Sequence, residues 1–158
     1  MTIPIRNIRP EDHQRIIEAM PQWWGGRDLS SSLLKIFFIH FQNTCFLAEE
    51  NSRLAGFLVG FISQSRKSQA YIQLAGVNPE CRRKGFGKEL YQRFFAVCRE
   101  NGVSLVKSCT SPANRLSISF HRGMGFEILP GEDSVDGFPV TNDYLSEGHP
   151  KVLFQIKI

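Results

Sequence analysis

Apolar and polar positions change period several times along the chain, and each change predicts an element. Alternation in IPIRNI predicts an opening strand. Pro10 then stands near a helix start with acidic Glu11 and Asp12 behind it, and that helix is expected to fade by Pro21. Ser30, Ser31 or Ser32 can cap a second helix carrying Leu33, Leu34, Phe37, Phe38 and Phe41. TCFLAEE and RLAGFLVGFI read as two strands hinged at Asn51-Ser52, and AYIQLAGV as a third, reached through the polar loop SQSRKSQ. After Gly87, the residues Leu90, Tyr91, Phe94, Phe95 and Cys98 share one helical face, which Asn101-Gly102 ends. VSLVKSCT is the next strand. SPANRLSISFHRGMGF then gives a short helix with Leu116, Phe120 and Met124 in line, and KVLFQIKI closes the chain as a strand.

The resulting order, β-α-α-β-β-β-α-β-α-β-β, is a mixed α/β class. Strand, helix and strand across residues 70–109 imply a right-handed parallel crossover. A length of 158 residues with 42% hydrophobic and 22% charged residues fits a single domain over 1–158. No apolar stretch approaches the ~20 residues that cross a bilayer. MTIPIRNIRPEDHQ also lacks the apolar core of a signal peptide, so a cytoplasmic place and no membrane partner are expected. Cys45, Cys81, Cys98 and Cys109 lie far apart without a CxxC pair, which argues against a metal or a disulfide framework. The net charge of +4 suits an anionic ligand.

One stretch, VNPECRRKGFGKELYQRF, sets Arg82, Arg83 and Lys84 against Gly85 and Gly87 at the start of the clearest helix. The first N–H groups of a helix lack internal partners, and its dipole places partial positive charge there. Phosphate binds well at such an end. The dinucleotide fingerprint fails, because its third glycine would fall at Leu90. A P-loop fails as well: Lys88 is followed by Glu89, and the first glycine would fall at Arg82.

VNPECRRKGFG resembles the V-x-P-x-x-R/Q-x-x-G-x-G/A stretch of the GNAT superfamily of acetyltransferases, with Arg82, Gly85 and Gly87 at the defining positions. The element order is similar too, so the resemblance covers nearly the whole chain and implies the acyl-CoA N-acyltransferase fold. It implies acetyl-CoA as co-substrate, with the pyrophosphate held by the loop Arg82, Arg83, Lys84, Gly85, Phe86, Gly87 and Lys88. The strand through Ala75 to Val77 would bind the pantetheine, and an N–H near Ala75 would meet the developing oxyanion. The family's second signature, N-x-x-A/S-x-x-F/L-Y followed by G-F, is matched by Asn114, Ser117, Phe120 and Gly125-Phe126. The resemblance implies that Asn114, Ser117 and Phe120 help bind the cofactor, with Asn114 at the pantetheine arm or the acceptor side; Asn114 also fits as a helix N-cap. His121 replaces the usual tyrosine, which in relatives can protonate the departing thiolate. It either takes over that acid role or packs as an ordinary histidine.

The base that deprotonates the acceptor is not identified by pattern. Some relatives place a glutamate on the strand before the loop, where Tyr71 stands here. Glu49 and Glu50 are candidates acting through water, and both also fit as solvated hairpin-end residues. Trp23 and Trp24 in PQWWGGRD either wall a cationic acceptor or pack in the core. Glu132, Asp133, Asp136, Asp143 and Glu147 either attract such an acceptor or sit in a solvated loop. The implied activity is acetyl transfer to a small-molecule, peptide or protein amine; the alternative is a non-catalytic acyl-CoA sensor. The resemblance leaves a homodimer open. No aromatic-rich basic face accompanies the RRK cluster, so no nucleic-acid partner is expected.

Overall fold

The computed structural model describes residues 3–26 and 28–158, which form two compact units divided after Val103. The first holds β1 (Ile5–Asn7), α1 (Asp12–Trp23), α2 (Ile36–His40), β2 (Cys45–Glu50), β3 (Arg53–Ile62), β4 (Gln69–Val77) and α3 (Phe86–Glu100). Its strands pair antiparallel in the order β1-β2-β3-β4. The β2–β3 turn falls on Asn51 and Ser52, both at positive φ (51° and 64°), the backbone that a two-residue hairpin turn demands.

β3 reads as a nearly unbroken apolar run because it is covered on both faces. Leu54 to Gly60 are all buried. One face meets Ile16, Met20 and Trp23 of α1 in a cluster with Leu47, Phe57 and Val59. The other carries Gly56 and Gly60, whose missing side chains admit Leu90 and Phe94 of α3. The end of α3 is closed as a Schellman motif: Val103 N–H donates to Cys98 O (3.0 Å) and Gly102 N–H to Arg99 O (3.1 Å), with Gly102 at φ 77°.

Two helix expectations are corrected in this unit. α1 runs through Pro21 to Trp23. A proline removes one helical hydrogen bond, but here it falls in the last turn, where buried Met20 and Trp23 hold the face and Trp24 N–H still reaches Met20 O (3.2 Å). The second helix does not start at the serines. Ser30–Ser32 form a 3-10 turn, and α2 is a five-residue helix entered through Lys35. Serines favour turns over helix interiors, and Asp28 Oδ1 accepts from Ser30 N–H (2.9 Å) to fix this one.

The second unit holds β5 (Leu105–Thr110), α4 (Arg115–Gly123), β6 (Glu127–Ile128), β7 (Asp133–Val135), β8 (Phe138–Val140) and β9 (Val152–Lys157). β9 pairs antiparallel with β5 on one side and β6 on the other. β7 and β8 form a separate hairpin turning at Asp136-Gly137, both at positive φ. The element order is the expected α/β one with this hairpin inserted. α4 departs from expectation in its buried face: Ile118 and His121 point inward, while Leu116 is 64% exposed. In a nine-residue helix, the aromatic partners of His121 in the same unit decide which stripe turns inside.

Candidate functional site

The charged loop follows β4 directly. Asn78 N–H donates to Ala55 O (2.8 Å) and its Nδ2 to Leu54 O (3.0 Å). Its Oδ1 accepts from Glu80 N–H (3.0 Å), starting a 3-10 turn over Pro79–Cys81. An asparagine before proline is suited to that capping role. Arg83 then takes φ 63° and Gly85 φ 90°, the latter as the N-cap of α3. The left-handed Gly85 brings the chain into the helix without a side chain over its end. Glu89 N–H donates to Gly85 O (3.0 Å), so the N–H groups ahead of it, through Lys88, precede the intrahelical ladder. Donors and helix dipole together suit a pyrophosphate.

The three cations differ in their ties. Arg82 donates to the Trp23 carbonyl at the end of α1 (3.4 Å). Lys84 Nζ pairs with both oxygens of Glu50 (3.0 and 3.3 Å). Arg83 is exposed. The bond from Lys84, ahead of burial and neighbouring charge, holds the Glu50 carboxyl below its ordinary range. Ala75 and Val77 lie in β4 opposite Leu58 and Gly56, and Phe86 is buried at the start of α3. All the loop and strand residues expected at the cofactor thus occupy one continuous stretch of the first unit.

The second group lies on α4. Asn114 is the helix N-cap, its Oδ1 accepting from Ser117 N–H (3.1 Å). His121 is 5% exposed, stacked on Phe154 at 4.5 Å between ring centroids, with Phe126 and Phe120 edge-on at 5.1 and 5.6 Å. Its Nδ1 stands 2.7 Å from the Ser117 carbonyl, which can only accept, so Nδ1 carries the proton. Ser117 Oγ is 3.3 Å from the same nitrogen. Burial pushes the imidazole below its ordinary range, against the opposing pull of the Ser117 carbonyl. The ring is thus buried among aromatics with Nδ1 committed to the Ser117 carbonyl.

That environment has a pH signature. With the folded value depressed, the unfolded chain takes up the proton first as pH falls through the ordinary value of 6.5. Stability is therefore complete above that value and is lost below it, by at most about 1.4 kcal/mol per pH unit for one proton. His121→Phe should flatten the fall in melting temperature from about pH 7.5 to about pH 5.5. Equal falls in both proteins would refute the assignment.

The base candidates are engaged elsewhere. Glu49 accepts from Arg6 Nε (3.2 Å) and from both terminal nitrogens of Arg15 (3.2 Å each). Arg6 in turn forks onto buried Asp12 with two bonds of 2.8 Å. Tyr71 packs against Phe61 at 5.7 Å. Trp23 is buried and stacked on Phe57, and Trp24 lies against Gly76, so both tryptophans pack onto the sheet; Arg27 of the same segment lies outside the described residues. In the acidic excursion, Glu132 accepts from Asn142 N–H, Asp143 from Gly148 N–H and Asp133 from Ser134 N–H, which gives these carboxylates local turn-closing work. Sequence reasoning missed Gln73, the extra residue of a bulge between the Val59–Leu74 and Gly60–Ile72 pairs, whose amide donates to Ser32 O (3.1 Å). The sequence carries no mark of that bulge. Asn78 was missed too, although an Asn-Pro pair at a strand end is a capping signal. Among the described residues no cluster of His, Cys, Asp or Glu is placed to hold a metal, and no helix is long and apolar enough to cross a membrane.

The model of the acetyltransferase (GNAT) family matches residues 8–126, and the chain belongs to that family. Its sequence is 31% identical over 78 residues to the L-2,4-diaminobutyric acid acetyltransferase of Halalkalibacterium halodurans, covering 49% of this chain and 41% of the relative. The chain thus matches less than half the length of that curated relative. Among solved structures, it is similar to diaminobutyrate acetyltransferase EctA from Paenibacillus lautus, in complex with L-2,4-diaminobutyric acid and coenzyme A. The TM-score is 0.75 at 21% identity, over 99% of this chain and 95% of that one. Ard1 from Thermoplasma volcanium gives a TM-score of 0.79 at 21% identity, over 100% and 99%. At this identity, the two structures establish the fold.

Proposed function

We propose that the chain transfers the acetyl group of acetyl-CoA to a primary amine, and that the acceptor is a small diamino acid of the 2,4-diaminobutyrate class. The observation that carries the donor is the α3 N-terminus: left-handed Gly85 opens its N–H groups beside Arg83 and Lys84, in a chain of the GNAT family. The acceptor class is supported by the curated relatives and by the ligand of the Paenibacillus lautus enzyme.

In the reaction, the uncharged amine nitrogen attacks the thioester carbonyl. A C–N bond forms, the C–S bond breaks and coenzyme A leaves as its thiolate. The N–H groups at 85–88 hold the pyrophosphate, and β4 near Ala75 and Val77 orients the pantetheine arm. Much of the acceleration comes from holding the two reactants together. Glu49 is occupied by two arginines and the His121 Nδ1 is committed to the Ser117 carbonyl, so neither of them is assigned the proton transfers.

Release of free thiol from acetyl-CoA tests both halves. The panel contains 2,4-diaminobutyrate, lysine, a primary amine without a carboxylate and a peptide N-terminus. The diamino acid should show kcat/KM at least about tenfold above the others, the scale on which pocket contacts discriminate. Preference for the peptide would reject the acceptor class and keep the transfer. No thiol release with any acceptor would reject the transfer.

A further inference from the structure

We propose that Glu50 is the positioning residue of the cofactor loop. Its carboxylate, fixed at the end of β2, ties down Lys84 and Cys81 and thereby holds the chain in the turn that opens the N–H groups of α3. The inference rests on reading that loop as the pyrophosphate site.

The loop needs an outside restraint. Arg83 sits at φ 63°, a left-handed conformation that is strained for a non-glycine residue, and Gly85 follows with the freedom of a glycine. The start of the loop is stapled to β3 by Asn78 on the Leu54 carbonyl and by Arg53 on Glu80 at 2.6 Å. Its later part is held, among the described acidic side chains, by Glu50: both oxygens reach Lys84 Nζ, and Oε2 also accepts from the Cys81 thiol at 3.6 Å. Glu50 precedes the tight Asn51-Ser52 turn and pairs with Arg53 in the β2–β3 ladder, so its backbone is well fixed. The hairpin tip is therefore the mould of the loop.

Charge alone predicts the opposite result. A carboxylate beside an anion site opposes binding, so its removal would tighten binding if electrostatics governed. Bracing predicts weakening, and three substitutions separate the two. Glu50→Ala removes reach and charge, Glu50→Asp keeps charge but shortens the reach, and Glu50→Gln keeps reach without charge. Calorimetry with coenzyme A on the full chain should show about fivefold weaker binding for Glu50→Ala and Glu50→Asp, and at most about twofold for Glu50→Gln. The KM for acetyl-CoA should follow the same order, with kcat at saturation moving less than about twofold. If affinity instead follows charge, with Glu50→Asp equal to wild type and Glu50→Gln tighter, the brace is overturned. Glu50→Asp decides this even if Glu50→Ala does not fold. Gly87→Glu serves as the control for the site: if that variant binds coenzyme A normally, the loop reading fails. Loss of binding there with unchanged Glu50→Asp condemns the brace alone.

Discussion

Gly87→Glu is expected to abolish acetyl-CoA binding while leaving the unliganded protein at least as stable as wild type. Gly87 is the second residue of α3. A carboxylate in the first turn of a helix interacts favourably with the dipole and the open N–H groups, by about 0.3–1 kcal/mol. Those same donors are what a pyrophosphate would use, so the new side chain occupies their place and repels the ligand. At a ligand concentration about one hundred times Kd, wild type should gain about 2.7 kcal/mol, which raises the melting temperature by several degrees. The variant should gain nothing. A variant that melts early without ligand would show only that Gly87 is structurally required, and calorimetry on the folded fraction would then decide. A normal ligand shift in a stable Gly87→Glu protein would remove the loop from the binding site.

The elements that were legible in the sequence are those where local and tertiary preferences agree. α3 has a continuous apolar face, a glycine entry and an Asn-Gly exit, and its span and Schellman ending follow from those features. The β2–β3 hairpin is likewise announced by Asn51-Ser52 between two apolar runs. Where local preferences conflict with packing, the reading failed. The serines at 30–32 could cap a helix or close a turn, and a 3-10 turn results. Pro21 signals an ending, yet burial of Met20 and Trp23 carries α1 past it. Leu116, Phe120 and Met124 are spaced as a stripe, but stacking on Phe154 commits α4 to Ile118 and His121.

The same distinction applies to the site. The turn into α3 was legible because glycine spacing encodes its backbone geometry. The side-chain ties of the two adjacent carboxylates were not, because they depend on residues distant in sequence: Glu50 reaches Lys84 across 34 positions, and Glu49 reaches Arg6 across 43. Glu49 and Glu50 look equivalent as adjacent carboxylates at a strand end. Alternation sends them to opposite faces, one to the arginines of β1 and α1, the other to Lys84 in the loop before α3. His121 matched a motif position, but its role turns on which side of a short helix is covered.

Gly60→Ala should be the most destabilising conservative change in the first unit, by about 3 kcal/mol, because it overfills a site bounded by ring and backbone. A methyl group at Gly60 would lie 2.6 Å from Phe94 Cε2 and 2.9 Å from the Tyr71 carbonyl oxygen. The backbone has little room to retreat: the Gly60 carbonyl accepts from Thr44 Oγ1 (2.6 Å) and from the Cys45 thiol (3.3 Å), and the β4 bulge lies directly across. Phe94 itself is fully buried on α3. The melting temperature should fall by roughly 6–12 °C, given about 2–4 °C per kcal/mol for a chain of this size. The two obstacles can be separated by a second substitution. Phe94→Leu withdraws the ring but leaves the Tyr71 carbonyl in place, so the double variant should be less destabilised than the sum of the singles by about 1 kcal/mol. Strict additivity would assign the whole penalty to the backbone contact. A Gly60→Ala protein as stable as wild type would mean that α3 does not press on β3 as closely as these distances require.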